Sequence, residues 1–219
     1  MAINYTVQAS VVDIRSDAPQ TTDAFLVDTN VWLWVAYPRA SAGPNPPFPD
    51  KLKDYPGYIK KALIARAKLY RCGLSMAELA HLIESTERGI YEAANPALKP
   101  ATFANDRGWT NPKEFRHNLP AERGNVVAQT RTAWRTVQNM AKPLTVCVDE
   151  ATTDAALLRC QTQPMDGYDL LIAEGMAKAG IIQVLTDDGD FCAVPGIQVF
   201  TANRNVVSAA FAQGKLLKR

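Results

Sequence analysis

Apolar and polar positions alternate in short blocks along this chain. The first informative block is residues 24–33, Ala-Phe-Leu-Val-Asp-Thr-Asn-Val-Trp-Leu. An apolar run ends abruptly in a carboxylate, a hydroxyl and an amide, and a second apolar run follows. This predicts a buried strand, a polar tip and the start of a helix. Apolar runs at 69–74, 144–148, 181–185 and 197–200 predict further strands, and 5–12 is a candidate edge strand. Helical patterns occupy 58–69 (stripe Ile59, Leu63, Ala67), 75–88, 125–141 (Val127, Trp134, Val137 and Ala141 inward), 151–160, 169–179 and a final segment from about Val206. Ser75 and Glu78 make a capping-box pattern, Asp149 is a candidate cap for the helix after it, and Gly180 is placed to stop the 169–179 helix. Strands alternating with helices predict an α/β protein: a three-layer α/β/α sandwich with a central, mostly parallel sheet of four to five strands.

Proline and polar content divide the chain further. Residues 1–23 read as an N-terminal extension and 24–203 as the main domain. Residues 204–219 read as a C-terminal helix and basic tail. Within the main domain, 38–56 holds six of the fourteen prolines and is expected to be a loop; the poorly periodic 89–121 is expected to be an insertion. With 47% hydrophobic and 21% charged residues the composition is that of an ordinary globular protein, and a net charge of +2 neither demands nor excludes a nucleic-acid partner. Cys72, Cys147, Cys160 and Cys192 form no CxxC pair, so buried reduced thiols and a cytoplasmic location are expected. No basic-then-apolar leader pattern opens the sequence, and the longest apolar run, 31–37, is too short to span a bilayer, so no membrane partner is expected. No GxSxG, Walker A, GxGxxG or HExxH pattern is present.

The acids at or just beyond strand tips carry the candidate chemistry. Asp28 follows the first main strand, Glu78 lies on the helix after the second, and Asp187, Asp188 and Asp190 follow the fourth. Asp169 opens the helix before that fourth strand. In a right-handed parallel sheet, segments that follow strands open on one edge, so these acids can meet there. Crowded carboxylates repel and would protonate unless a cation neutralises them. Oxygen-only ligands suit Mg²⁺ or Mn²⁺, and such a site suits phosphodiester hydrolysis. Each acid alone also fits a helix cap, a first-turn acid or a solvated turn.

The stretches Phe-Leu-Val-Asp-Thr-Asn (25–30), Ser-Met-Ala-Glu-Leu (75–79), Asp-Leu-Leu-Ile-Ala (169–173) and Leu-Thr-Asp-Asp-Gly-Asp-Phe (185–191) resemble, in order, the four acidic motifs of PIN domains. The best-known small bacterial members of that family are the VapC toxins. The resemblance implies a Mg²⁺- or Mn²⁺-dependent ribonuclease with an α/β/α fold, frequent homodimerisation, and, for a toxin, an antitoxin partner. It implies that Asp28, Glu78, Asp169 and Asp188 are the catalytic and metal-binding acids, with Asn30, Thr186 and Asp190 as supporting polar groups. Asp166 and Asp187 compete with Asp169 and Asp188 for those roles. The chain's length, extension, proline loop and insertion depart from the small toxins.

RNA-binding candidates outside the acids are Arg131, Arg135 and Trp109, with a further basic cluster at Lys60, Lys61, Arg66, Lys68 and Arg71. His81 lies three residues after Glu78 and is expected to share its helix face. The competing expectation is a non-catalytic module of the same fold that binds RNA or a protein partner, with the acids serving as caps.

Overall fold

The computed structural model describes residues 3–43, 46–98 and 110–219. Its sheet has six strands: β1 (Ser10–Asp13), β2 (Ala24–Val27), β3 (Lys68–Cys72), β4 (Lys142–Leu144), β5 (Gln183–Leu185) and β6 (Gln198–Thr201). They lie in the order β1-β6-β5-β2-β3-β4, and every pairing is parallel. The helices are α1 (Thr29–Ala36), α2 (Pro49–Ile64), α3 (Gly73–Ala94), α4 (Pro112–Asn118), α5 (Pro120–Met140), α6 (Glu150–Cys160), α7 (Gly167–Ala179) and α8 (Arg204–Ala212).

Side chains alternate across a strand, and here both faces are buried. Phe25, Val27, Leu69, Leu185 and Phe200 face a core completed by Trp32 of α1, Tyr55 and Tyr58 of α2, Leu79 of α3 and Val137 of α5. Leu26, Val184 and Val199 face the opposite way, onto Ile172 and Met176 of α7 and Val206 and Ala210 of α8. Phe25 meets Phe200 and Tyr58 edge-on, with ring centroids 4.8 and 5.9 Å apart. The three-layer expectation therefore holds, with a sixth strand and no antiparallel member.

The extra strand comes from the N-terminal stretch. Residues 10–13 pair along β6 and are tied to the C-terminal segment, where Val11 and Leu216 form an isolated bridge. The proline segments also differ from expectation. Helix α2 begins at Pro49, inside the stretch read as a loop. Helix α3 continues to Ala94, and α4 and α5 begin at Pro112 and Pro120, inside the stretch read as an insertion. Proline at the first helical turn forfeits no intrahelical bond, so prolines that read as breakers here start helices. Facing also shifts: Leu63 and Val127 are exposed, while Tyr55, Tyr58, Val126 and Ala133 point inward. Gly180 ends α7 in the left-handed conformation and Asp149 caps α6, both as the sequence indicates. Ser75 is not a cap, because α3 starts earlier with Cys72 as its N-cap. Cys72 and Cys192 are buried, Cys147 and Cys160 are exposed, and all four are free thiols.

Two buried ionic knots brace the layers. Glu87 of α3 accepts from Tyr37 Oη at 2.5 Å, Arg39 Nη1 at 2.7 Å and Asn125 Nδ2 at 2.9 Å, joining the segment after α1 to α3 and α5. Arg219 bonds both Asp17 and Asp23 and lies over the Phe200 ring. Among the described residues no helix is long and apolar enough to cross a membrane.

Candidate functional site

The sheet order places a topological switch at its centre. From β2 the chain moves outward to β3 and β4, then returns to add β5 and β6 on the other side of β2. Helices leaving adjacent strands in opposite directions open a crevice at the C-terminal ends of β2 and β5. Asp28 stands at the tip of β2 and Thr186 to Asp188 at the tip of β5. The two tips are joined by the Asp28 amide donating to the Leu185 carbonyl at 3.0 Å.

Side chains continue that link. The Thr186 hydroxyl donates to Asp28 Oδ2 at 2.7 Å and accepts from the Asp188 amide at 2.8 Å. Asp28 Oδ1 accepts from the Thr29 amide at 2.6 Å, so Asp28 is both the N-cap of α1 and a member of the crevice. Capping uses one oxygen of this carboxylate and the link to Thr186 the other. Asp188 Oδ1 in turn accepts from the Asp190 amide at 2.9 Å, which sets the turn beyond β5.

Glu78 reaches the same edge from the second turn of α3, and Asp169 from the first turn of α7. Helix α7 runs back from this edge before β5, so its N-terminus starts beside the crevice. Asp28, Glu78 and Asp169 each feel other carboxylates of this edge. Burial pushes the Asp28 carboxyl well above its ordinary range; the Thr186 bond opposes this, and Glu78 and Asp188 add to the rise. Burial likewise raises Asp169, reinforced by Asp28, Asp166, Asp188 and Glu78. Glu78 is raised by burial and by Asp166 and Asp188, with Thr29 and His81 pulling the other way. Asp190 is pushed up to about 6, by burial first and then by Asp188 and Asp166. The charges acting most strongly on Asp169 are all carboxylates, so this edge is a site of unrelieved negative charge.

The two competing acids also have partners of their own. Asp187 pairs with Lys51 and accepts from Tyr55 Oη at 2.8 Å, which pins α2 to the sheet. Asp166 is the N-cap of α7, accepting from the Tyr168 and Asp169 amides at 3.1 and 3.3 Å. Asp166 nonetheless acts on Glu78, Asp169 and Asp190, so it stays part of this acidic edge. Asn30 is half-buried on the first turn of α1, two residues past Asp28.

Oxygen donors in surplus, with carboxylates dominating their mutual electrostatics, fit a hard divalent cation such as Mg²⁺ or Mn²⁺. The buried Thr29 hydroxyl stands beside Glu78 and is one more oxygen at this edge. Among the described residues no three Asp, Glu, His or Cys side chains converge as a ready cation cage. Asp28, Glu78, Asp169 and Asp188 would be the groups to draw in around one.

One residue of this edge was missed in the sequence. The Tyr5 ring lies directly on Gly189, so closely that a Cβ built there would fall 2.0 Å from Tyr5 Cε1. Burial, then Asp188 and Asp190, raise the Tyr5 phenol. Its backbone is held by Gln213, which donates to the Tyr5 carbonyl at 2.8 Å and accepts from the Val7 amide at 2.9 Å. The signal available was only the Gly189 within the acidic turn, which marks a close approach without naming the partner.

The RNA-binding candidates separate. Arg131 lies with Trp134 along a groove between α3 and α5, and Arg135 is exposed on α5 outside that groove. Trp109 lies outside the described residues. Arg71 stacks over Trp134 at 5.3 Å. No protein-family model matches the chain and no curated protein matches it. Fold and site together define a parallel α/β protein with an acidic cleft at its switch point.

Proposed function

We propose that this chain is a metal-dependent endoribonuclease that hydrolyses RNA phosphodiester bonds at Asp28, Glu78, Asp169 and Asp188. The observation that carries the reading is that four acids from four separate segments lie at one sheet edge, where burial and neighbouring carboxylates raise the proton affinity of Asp28, Glu78 and Asp169. Caps alone do not require four segments to bring acids to one edge. Mg²⁺ or Mn²⁺ bound here would offset the charge of the phosphate and make water a better nucleophile. The chain's own part is positional. Thr186 fixes one oxygen of Asp28 and the backbone of Asp188, and the Asp187–Lys51–Tyr55 knot holds the turn from behind. Asn30, Thr186 and Asp190 supply further polar groups around the scissile phosphate.

The ordered motifs support a PIN-like assignment, and the free thiols agree with a cytoplasmic location. An antitoxin-like partner and a homodimer follow from the resemblance alone. The deciding experiment is cleavage of a panel of structured and single-stranded RNAs with Mn²⁺, Mg²⁺ or EDTA, comparing the wild type with Asp28→Asn and Asp188→Asn. Metal-dependent cutting lost in both variants is the expected result. Intact RNA under every condition, with no Mn²⁺ binding by calorimetry that depends on Asp28, would overturn it and favour a non-catalytic binding module.

A further inference from the structure

A groove of about 580 Å³ runs between α3, α4 and α5, within the range of about 300–1,000 Å³ that takes small organic ligands. Its floor and walls are apolar, with Met76, Val127 and Trp134 accessible along it. Its rim is cationic. Arg116, Arg123 and Arg131 line it against one acid, Glu84, which Arg116 already neutralises at 3.1 Å. Arg123 and Arg131 are exposed and make no ion pair among the described residues. Two uncompensated guanidinium groups beside an apolar floor call for an occupant that is both anionic and flat-faced.

The groove also adjoins the acidic crevice. Helix α3 supplies Glu78 to the crevice and Met76, Ala80 and His81 to the groove, and His81 is near enough to Glu78 to act on its charge. We infer that the groove receives the unpaired bases of a single-stranded RNA whose backbone continues past the acid cluster. This rests on the nuclease reading for its direction of travel, and it narrows the substrate to unpaired RNA. Arginines neutralise phosphates, while bases gain by stacking on aromatic and apolar surface. A duplex keeps its base faces buried in its own stack and offers nothing to the floor. Arg71, stacked on Trp134, holds the indole in place.

The test is fluorescence anisotropy of a short fluorescein-labelled RNA, single-stranded or annealed to its complement, with EDTA present so that no metal-dependent cleavage occurs. The single strand is expected to bind at least about tenfold more tightly than the duplex. The double variant Arg123→Glu/Arg131→Glu changes only exposed side chains. It is expected to weaken single-strand binding at least about tenfold and to reduce the salt slope by about 1.4, the share of two phosphate contacts. Val127→Asp, on the exposed wall, weakens the single strand without affecting the fold. Equal binding of duplex and single strand, or indifference to both variants, overturns the inference. So does preferential binding of an acidic amphipathic peptide over RNA, which would make the groove a protein-docking site. Because binding is read without metal, single-strand binding with neither metal-dependent cutting nor Asp28-dependent Mn²⁺ binding removes the nuclease reading and leaves the groove standing.

Discussion

Replacing Arg219 with alanine tests how much of this fold hangs on its C-terminal segment. The guanidinium donates to Asp17 through Nε at 3.0 Å and Nη2 at 2.7 Å, and to Asp23 through Nη1 at 2.7 Å and Nη2 at 3.1 Å. It sits 4.6 Å from the Phe200 ring centroid. The arginine side chain is 14% exposed and the two acids 3% each, so water replaces little of what is lost. Removing one partner of a buried ion pair costs about 3–5 kcal/mol, because the charge left behind is desolvated. Protonation of Asp23, which loses the bonds that hold its carboxyl low, limits the penalty, so the lower half of that range, about 3–4 kcal/mol, is expected. For a chain of this size each kcal/mol moves Tm by about 2–4 °C, which puts the variant roughly 6–16 °C below wild type. Urea unfolding followed by circular dichroism measures it. The pH dependence supplies a second reading. Burial opposes but the Arg219 bonds win, holding Asp23 below its ordinary value. A depressed carboxyl contributes stability that is present above its unfolded pKa and lost as pH falls through the folded one. The gap between wild type and Arg219→Ala therefore narrows below about pH 4. A loss under about 1 kcal/mol at neutral pH, or a gap that widens in acid, would refute the reasoning.

Other substitutions probe other parts. In EDTA, Asp169→Asn stabilises the protein at pH 8. The raised folded pKa of Asp169 means its contribution is fully present below about pH 4 and lost as pH rises through the folded value, so the two proteins converge in acid. Added Mn²⁺ should raise the Tm of wild type and not of that variant. Gly189→Ala forces the Tyr5 ring aside and is expected to cost about 1–3 kcal/mol and to weaken Mn²⁺ binding. Tyr5→Ala/Gly189→Ala should recover part of the stability, and calorimetry beside thermal melts separates the effects. Arg66 holds φ at 59°, a strained conformation for any side chain, so Arg66→Gly is expected to stabilise by about 1 kcal/mol in urea titration.

The main strand, its polar tip and the acids beyond it were legible because burial and chemistry coincide in a few adjacent residues. Phe25 to Asp28 is apolar because both faces of the sheet are covered, and it ends polar because the switch point opens there. On sequence, Asp188 is preferred to Asp187 only because it stands two residues after Thr186; the chain does not reveal that Lys51 and Tyr55, more than a hundred residues earlier, claim Asp187. The helix starts at Pro49, Pro112 and Pro120 were misread because proline breaks a helix from within and favours one from its first turn. Tyr5 and the arginine-rimmed groove were illegible for a different reason. Each depends on packing between segments whose own patterns carry no sign of the neighbour.

The bond from Thr186 to Asp28 spans 158 positions of sequence. At the usual pace of about 5–20 residues per second, a ribosome that has made Asp28 works for some 8–30 s before Thr186 exists. Throughout that interval β2 has no β5 beside it, and the acidic edge lacks one of its walls. A polypeptide cut short between α7 and β5 carries Asp28, Glu78 and Asp169 without the partner strand that gathers them. An acidic edge built this way is incomplete while the chain is being synthesised, and forms only when the late strands close the sheet.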